Sequence, residues 1–459
     1  MTFATTNPYT GEVLKTFPEA SEAEVKEAIG RADIAFQSWR QTSFAKRAGV
    51  MQKAADILRR DINTYAPLLT LEMGKLLTEA KAEVELSASI FEYYAKNAET
   101  LLTPEKLPVA DPAEGEAILV SDPLGVLLAI EPWNFPYYQI ARIIAPQLSA
   151  GNTMLLKHAA NVPQCAAAIE KLMREAGLPD GAFINIYAGH DKVEMILNDP
   201  RVHGVALTGS EAAGAIVAAQ AGKALKKSTM ELGGADAFVV LADADLDKTA
   251  KWAVFGRHWN GGQVCVSSKR MIIDESVYDG FLDRYTKGVA ELRAGDPMDP
   301  NTSLAPLSSQ SAADDLKNKI RQAVEHGAKA TEVGPSVPNR GAFVQPTILT
   351  DIGEDNPARY WEFFGPVSMI FRAKGEDDAV RIANDSPFGL GGSVFTSNPK
   401  HGAEVAKRIS TGMVFVNQKA DLPFGGVRRS GYGRELLGLG IKEFVNHKLI
   451  DVVDIDAPF

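Results

Sequence analysis

The chain is poor in cysteine and histidine, with Cys 2 and His 7 among 459 residues. Two cysteines cannot build a disulfide framework, and neither Cys-x-x-Cys nor His-x-x-x-His spacing occurs, so neither a secreted scaffold nor a metal centre is expected. Long hydrophobic runs are lacking too. The most apolar stretch, residues 124–144, is broken by Glu131 and Arg142, and the first basic residue, Lys15, does not open a basic-then-apolar leader. Signal peptide and membrane span are therefore not expected, and a reducing cytoplasm suits a working thiol. No run of lysine and arginine interleaved with aromatics appears, and the net charge of −10 is spread along the chain, which argues against a nucleic-acid partner. A small anionic substrate is compatible with that charge if a local arginine receives it.

What is present is an ordinary globular balance, 45% hydrophobic and 23% charged. That length carries about three domain-sized cores, or two large ones with an appendage. Residues 21–40 and 45–60 place apolar side chains at helical spacing, and Ser21-Glu-Ala-Glu opens the first with a capping signal. The first hundred residues read as mainly helical. From Pro123 the pattern changes to short apolar runs (126–130, 153–156, 183–186, 205–207) separated by helical segments (140–148, 163–175), which predicts β-α-β units and a parallel sheet covered on both faces. A second α/β stretch has strand candidates at 237–241, 270–273, 367–371 and 392–395. Residues 231–235 are the natural boundary, and the Pro-Phe-Gly-Gly run at Pro423 the return. Residues 117–121 and 448–454 alternate polar and apolar, as half-exposed strands outside both cores, and such edges need a partner strand, which another subunit could supply.

Cys265 closes Asn260-Gly-Gly-Gln-Val-Cys, and Glu231 opens Glu-Leu-Gly-Gly, so a thiol and a carboxylate each sit beside glycines that can turn main-chain N–H groups toward a ligand. They read as nucleophile and base. Taken alone, Cys265 reads first as a small buried apolar side chain, a reading that only the further motifs of the chain reverse; Cys165, in an amphipathic helical segment, reads only that way. Met230 and Leu232 around Glu231 predict a raised pKa rather than a solvated surface carboxylate. Thr208, Gly209, Ser210 and Gly214 form a Gly-x-x-x-x-Gly loop between a strand and a helix, where amides attract pyrophosphate, although a plain strand-to-helix turn has the same look.

Together with Asn7-Pro-Tyr-Thr-Gly-Glu, Pro132-Trp-Asn-Phe-Pro, Leu156-Lys157, Leu207-Thr-Gly-Ser, Glu362-Phe-Phe-Gly-Pro, Pro423-Phe-Gly-Gly and Ser430-Gly-Tyr-Gly-Arg-Glu, these motifs run in an order that resembles the aldehyde dehydrogenase superfamily over essentially the whole chain. The resemblance implies an α/β, aldehyde dehydrogenase-like fold: two doubly wound α/β domains with a small β oligomerisation arm. Residues 1–111 and 125–231 would be the nucleotide-binding domain, 232–430 the catalytic domain, 112–124 and 443–459 the oligomerisation strands of a homodimer or homotetramer. It implies that Cys265 attacks an aldehyde, that the thiohemiacetal passes hydride to a nicotinamide ring, and that Glu231 activates the water that releases the acid. Asn134 matches the side-chain donor of the oxyanion hole, a donor whose loss costs about 2.7 to 4 kcal/mol in the barrier; its residues alone read equally as a turn before Phe-Pro.

For the cofactor, the resemblance places Lys157 at the adenosine ribose, Trp133 by the pyrophosphate, and Glu362 with Phe364 at the nicotinamide ribose. Many NAD-specific relatives carry a glutamate where this chain has Ala160, with Lys157 and His158 nearby. The missing negative charge favours NADP slightly over NAD, with use of both as the alternative. The segment from Pro132 to Arg142 looks like the succinate-semialdehyde branch, in which the matching arginine meets the substrate carboxylate through two parallel hydrogen bonds, with Tyr138 and Trp259 as pocket walls. A structural salt bridge is the other reading of Arg142. Only Gln-Lys-Ala-Asp-Leu stands between Asn417 and Pro423, shorter than usual for that branch, which points either to an altered pocket or to a stretch missing from this sequence. The expected reaction is thus NAD(P)-dependent oxidation of succinate semialdehyde to succinate. A short aliphatic or sugar-derived aldehyde is the alternative substrate, and a thiol esterase using Cys265 and Glu231 without nucleotide is the alternative of another class.

Overall fold

A computed structural model of the chain describes residues 2–109, 115–417 and 423–454. Six strands form the first sheet, in the order Gly431–Tyr432, Lys227–Glu231, Val202–Thr208, Val126–Glu131, Thr153–His158, Phe183–Asn185, all parallel except the edge strand Gly431–Tyr432. Every side chain of Thr153–His158 is buried, as in a sheet covered on both faces. The helices Glu22–Trp39, Phe44–Arg60, Leu77–Leu101 and Pro136–Ala150 supply that cover, burying Trp39, Phe91, Tyr94 and Ile140. Ser21 begins the first of them with the expected capping box, its hydroxyl accepting from the Glu24 N–H and the Glu24 carboxylate accepting from the Ser21 N–H.

The second sheet has seven strands: Lys329–Glu332, Thr347–Thr350, Val367–Ala373, Arg270–Asp274, Ala237–Val240, Gly392–Phe395, Phe415–Val416, antiparallel only at Lys329–Glu332. In the first sheet the strand order reverses between Val126–Glu131 and Val202–Thr208, so a crevice opens beyond their carboxyl ends. Both ends carry predicted site residues, the segment from Trp133 and the Thr208–Ser210 turn.

The two half-exposed strands pair with each other within the chain: Gly115–Pro123 runs antiparallel to Val445–Val453, with Glu105–Leu107 as a third strand. Leu449, Val452 and Val453 on the outer strand remain exposed. Several short strands escaped the sequence reading, among them Lys227–Glu231, Lys329–Glu332, Thr347–Thr350 and Phe415–Val416 within the two large sheets, and three features outside them or at an edge. The hairpin Phe3–Thr6 and Val13–Phe17 precedes the helices, Glu105–Leu107 joins the small sheet, and Gly431–Tyr432 returns the chain to the first sheet beside Glu231. All three are strands of five residues or fewer, too short for a periodicity to register. Residues 1, 110–114 and 455–459 of the expected domain division, and the short segment 418–422, lie outside the described residues.

Candidate active site

The segment after Val126–Glu131 turns through Trp133 and Asn134 into the helix Pro136–Ala150, whose first residue is proline and which has no side-chain cap of its own. Its cap is borrowed. The Glu83 carboxylate accepts from the N–H groups of Tyr137 (2.9 Å) and Tyr138 (3.2 Å), and Glu83 is paired with the fully buried Lys75, whose Nζ donates to Asn134 O at 3.0 Å. The same carbonyl accepts from Asn260 Nδ2 at 2.8 Å. From the neighbouring strand, the ring of His158 lies with Nδ1 3.0 Å from Glu131 O and Nε2 3.2 Å from Pro136 O. Burial lowers its pKa to about 4, so the ring is neutral and inward-facing. His158, expected near the adenosine ribose, is instead a clasp on this segment.

The thiol segment is shaped by backbone requirements. Asn260, Gly261 and Gly262 have φ of 54°, 62° and 79°, and a Cβ on Gly262 would lie 2.4 Å from Gly365 O, so only glycine fits there. Gln263 braces the turn, accepting from the Ser308 N–H at 2.8 Å and donating to Asn260 O at 3.0 Å. Buried Lys269 donates to both Val264 O and Cys265 O at 2.7 Å, tying down the carbonyl side of the segment. Cys265 itself is half-buried, whereas Cys165 is buried in Pro163–Glu175 as expected.

Two cavities meet at Cys265. One is lined by Trp133, Asn134, Thr208, Gly209, Ser210, Glu231, Glu362 and Phe364; the other by Tyr138, Arg142, Trp259 and a set of apolar side chains including Leu86, Met413 and Phe424. Cys265 and Gln139 belong to both. The first cavity has the parts a dinucleotide requires. Ser210 caps the helix Glu211–Lys223, which aims first-turn N–H groups at the turn. Trp133 and Phe364 meet edge to face at 5.8 Å. Glu362 accepts from the Gly234 N–H at 3.1 Å and pairs with Lys269 at 3.0 Å; a Cβ on Gly233 would sit 2.2 Å from its other oxygen, so the glycine admits the carboxylate. Lys157 and Ala160 line neither cavity, and Lys157 is buried at its strand end. Gly214 also stands outside: a Cβ there would lie 2.4 Å from the Leu232 side chain, so it lets helix and strand end approach.

Glu231 ends its strand opposite Thr208 and is 2% exposed, with no hydrogen-bond partner for either carboxylate oxygen among the described residues. Burial first, and then the charge of Glu435, push its pKa well above the carboxylate range, against the pull of Arg142. Arg142, 1% exposed, faces Glu435 with Nε at 2.5 Å, places Nη2 3.5 Å from Thr208 Oγ1, and lies over the rings of Phe424 and Tyr138. Three buried carboxyls, Glu131, Glu231 and Glu435, thus share one guanidinium. Sequence reading missed Lys75, Glu83, Gln139, Lys269 and Glu435. The Ser-Gly-Tyr-Gly-Arg-Glu run did contain Glu435, but without a sign that it folds back onto Arg142.

The profile of the aldehyde dehydrogenase family matches residues 1–450. The chain is 48% identical to the NADP(+) succinate-semialdehyde dehydrogenase of Deinococcus radiodurans, over 98% of this chain and 94% of that one. It is 45% identical to NADP(+) succinate-semialdehyde dehydrogenase 1 of Mycobacterium tuberculosis, over 98% and 99%. Among solved structures, succinic semialdehyde dehydrogenase from Streptococcus pyogenes in complex with NADP+ superposes with a TM-score of 0.96 at 45% identity, covering 98% of this chain and 100% of that one.

Proposed function

Because the chain belongs to the aldehyde dehydrogenase family, we propose that it oxidises succinate semialdehyde to succinate with NADP as the electron acceptor, through a thiohemiacetal and a thioester on Cys265. The observation that carries this reading is the position of Cys265 on the wall common to two cavities, one edged by Arg142 and the other by the dinucleotide-type residues. The similarity to NADP-dependent succinate-semialdehyde dehydrogenases supports it.

The sulfur of Cys265 adds to the carbonyl carbon, and the oxygen gains the charge. Asn134 Nδ2 and the Cys265 N–H are the donors to that alkoxide. When bound, the nicotinamide ring supplies the acceptor for the hydride that the carbonyl carbon loses. Glu231 then takes a proton from a water that attacks the thioester carbon; the C–S bond breaks, the acid leaves and the thiol is restored. A pKa raised above the ordinary carboxylate value suits this task, since a more basic carboxylate takes a proton from water more readily. Arg142 meets the substrate carboxylate with the guanidinium edge not turned to Glu435, and Tyr138 and Trp259 flank it. Trp133, Thr208, Gly209, Ser210, Glu362 and Phe364 hold the dinucleotide, with Lys157 and Ala160 beneath the adenosine end and Gly214 setting the helix position. In this reading residues 1–111 and 125–231 form the domain that carries the cofactor and 232–430 the one that carries the thiol, the small antiparallel sheet joins subunits into a homodimer or homotetramer, and the enzyme works in the reducing cytoplasm that its thiol needs.

One observation favours the runner-up, an uncharged aliphatic aldehyde: the second cavity is mostly apolar and its one cation already faces Glu435. The decisive experiment follows reduction of NADP and of NAD with succinate semialdehyde and with an uncharged aldehyde of equal chain length, in wild type and Arg142→Ala. Preference for the charged aldehyde and for NADP, with the aldehyde preference lost in the variant, is the expected result. A wild-type preference for the uncharged aldehyde overturns the substrate assignment.

A further inference from the structure

An asparagine amide can serve an alkoxide from one end only; rotated by half a turn it presents its oxygen and repels the charge it should hold. Asn134 is fixed against that rotation at both ends. Its Nδ2 lies 3.1 Å from Gln263 O, a main-chain atom that can only accept, and its Oδ1 accepts from Gln139 Nε2 at 2.9 Å. Reversing the amide would set Oδ1 against Gln263 O, a main-chain atom that can only accept, and would lose the Gln139 hydrogen bond unless the Gln139 amide turned over as well. We propose that Gln139 is a positioning residue for the reaction, holding the Asn134 amide with its donor end toward the Cys265 side of the junction; the inference rests on the role given to Asn134 above.

The surroundings fit a residue retained for its donor. Gln139 occupies the first turn of Pro136–Ala150, where its N–H donates to Phe135 O at 3.0 Å and the Glu83 cap fixes the residues before it. It is 2% exposed and lies on the walls of both cavities that meet at the thiol. Its Oε1 is buried with no hydrogen-bond partner among the described residues. A methionine or leucine would fill similar space without an unpaired acceptor, so what the glutamine adds here is one N–H aimed at Asn134. On the other side the Asn134 amide donates to the main-chain oxygen of Gln263, whose own side chain is braced by the Ser308 N–H and Asn260 O, so Asn134 is held between a main-chain acceptor and the Gln139 donor.

The test measures the first-turnover rate of NADPH formation, the KM for NADP and the Tm for Gln139→Met, Gln139→Glu and Asn134→Ala, and for Gln139→Met combined with Asn134→Ala. Gln139→Met is expected to slow the first turnover about 10- to 100-fold with KM for NADP unchanged, and to have no further effect once Asn134 is alanine. A wild-type rate in Gln139→Met, or an equal loss in both backgrounds, overturns the proposal, since a merely structural residue would act in both. Should the methionine variant not fold, the isosteric Gln139→Glu decides. Its protonated acid still donates and its carboxylate cannot, so its rate relative to wild type must fall as pH rises, and a flat ratio refutes the inference. If Asn134→Ala is itself as fast as wild type, the oxyanion role of Asn134 fails and takes this proposal with it; if Asn134→Ala is slow and Gln139→Met is not, only the role of Gln139 fails.

Discussion

The two cavities that meet at Cys265 are built in opposite ways. The dinucleotide-type wall is made by strand ends, glycines and a helix N-terminus, contributed in contiguous runs such as Thr208–Ser210 and Glu231–Gly233. The other wall is made by large side chains drawn from Leu86, Tyr138, Trp259, Met413, Phe424 and Leu436, each from a different segment. A cavity formed by backbone is written as a short motif, because close approach and positive φ restrict which residues are tolerated. A cavity formed by side chains leaves only scattered apolar positions that any core would share. This explains why one wall was legible in the sequence and the other only through Tyr138, Arg142 and Trp259.

Removing the sulfur breaks both sides of the comparison at once and has the largest expected effect. Cys265→Ser should lower kcat about 10⁴-fold or more while leaving NADP affinity, followed by quenching of tryptophan fluorescence, near wild type. A cofactor-independent thiol esterase would also lose its activity in this variant. The two reactions separate in the wild type, where ester turnover without nucleotide at rates matching NADP reduction would favour the esterase.

A smaller effect distinguishes the steps that the two walls serve. Glu231 stands on the dinucleotide side yet acts on the thioester held by the thiol, so Glu231→Gln should keep a stoichiometric burst of NADPH while kcat falls about 10²- to 10⁴-fold. Stopped-flow absorbance resolves the two phases. Loss of the burst itself would move Glu231 from releasing the acid to activating Cys265.

The sequence identified Glu231 through its apolar neighbours, and the structure bears out the direction of its pKa. What the sequence withheld is the reason for part of that shift. Glu435 lies far away along the chain, and its approach depends on the return of Gly431–Tyr432 to the edge of the first sheet. Lys75 and Glu83 escaped for the same reason: nothing local marks a glutamate on one helix as the cap of another. Long-range pairings between charged side chains carry no periodicity, whereas the parallel strands, the capped helix at Ser21 and the tight turn at Gly262 do carry local signals.

The smallest expected effect concerns Glu131, which ends the central strand beside Thr208 and is 2% exposed. Burial, with the nearby charge of Glu435, raises its pKa well above the ordinary carboxylate value of 4.5, and the attraction of Arg142 only partly opposes this. One guanidinium cannot hold three carboxylates ionised in a dry site, so protons are retained there at pH values where the unfolded chain has released them. A folded state that binds more protons than the unfolded one loses stability as pH rises, beginning at the ordinary carboxylate value and continuing to the raised one. Glutamine resembles the protonated acid and has no such dependence. Glu131→Gln should therefore match the wild-type Tm near pH 4.5 and exceed it by about 1–3 °C at pH 8, as read by calorimetry across a pH series. A Tm difference that is flat, or that reverses sign, would mean that Arg142 holds Glu131 ionised. Arg142 would then be committed to the carboxyls of its own chain and not to a carboxylate in the substrate cavity, which links this stability measurement to the choice between a charged and an uncharged aldehyde.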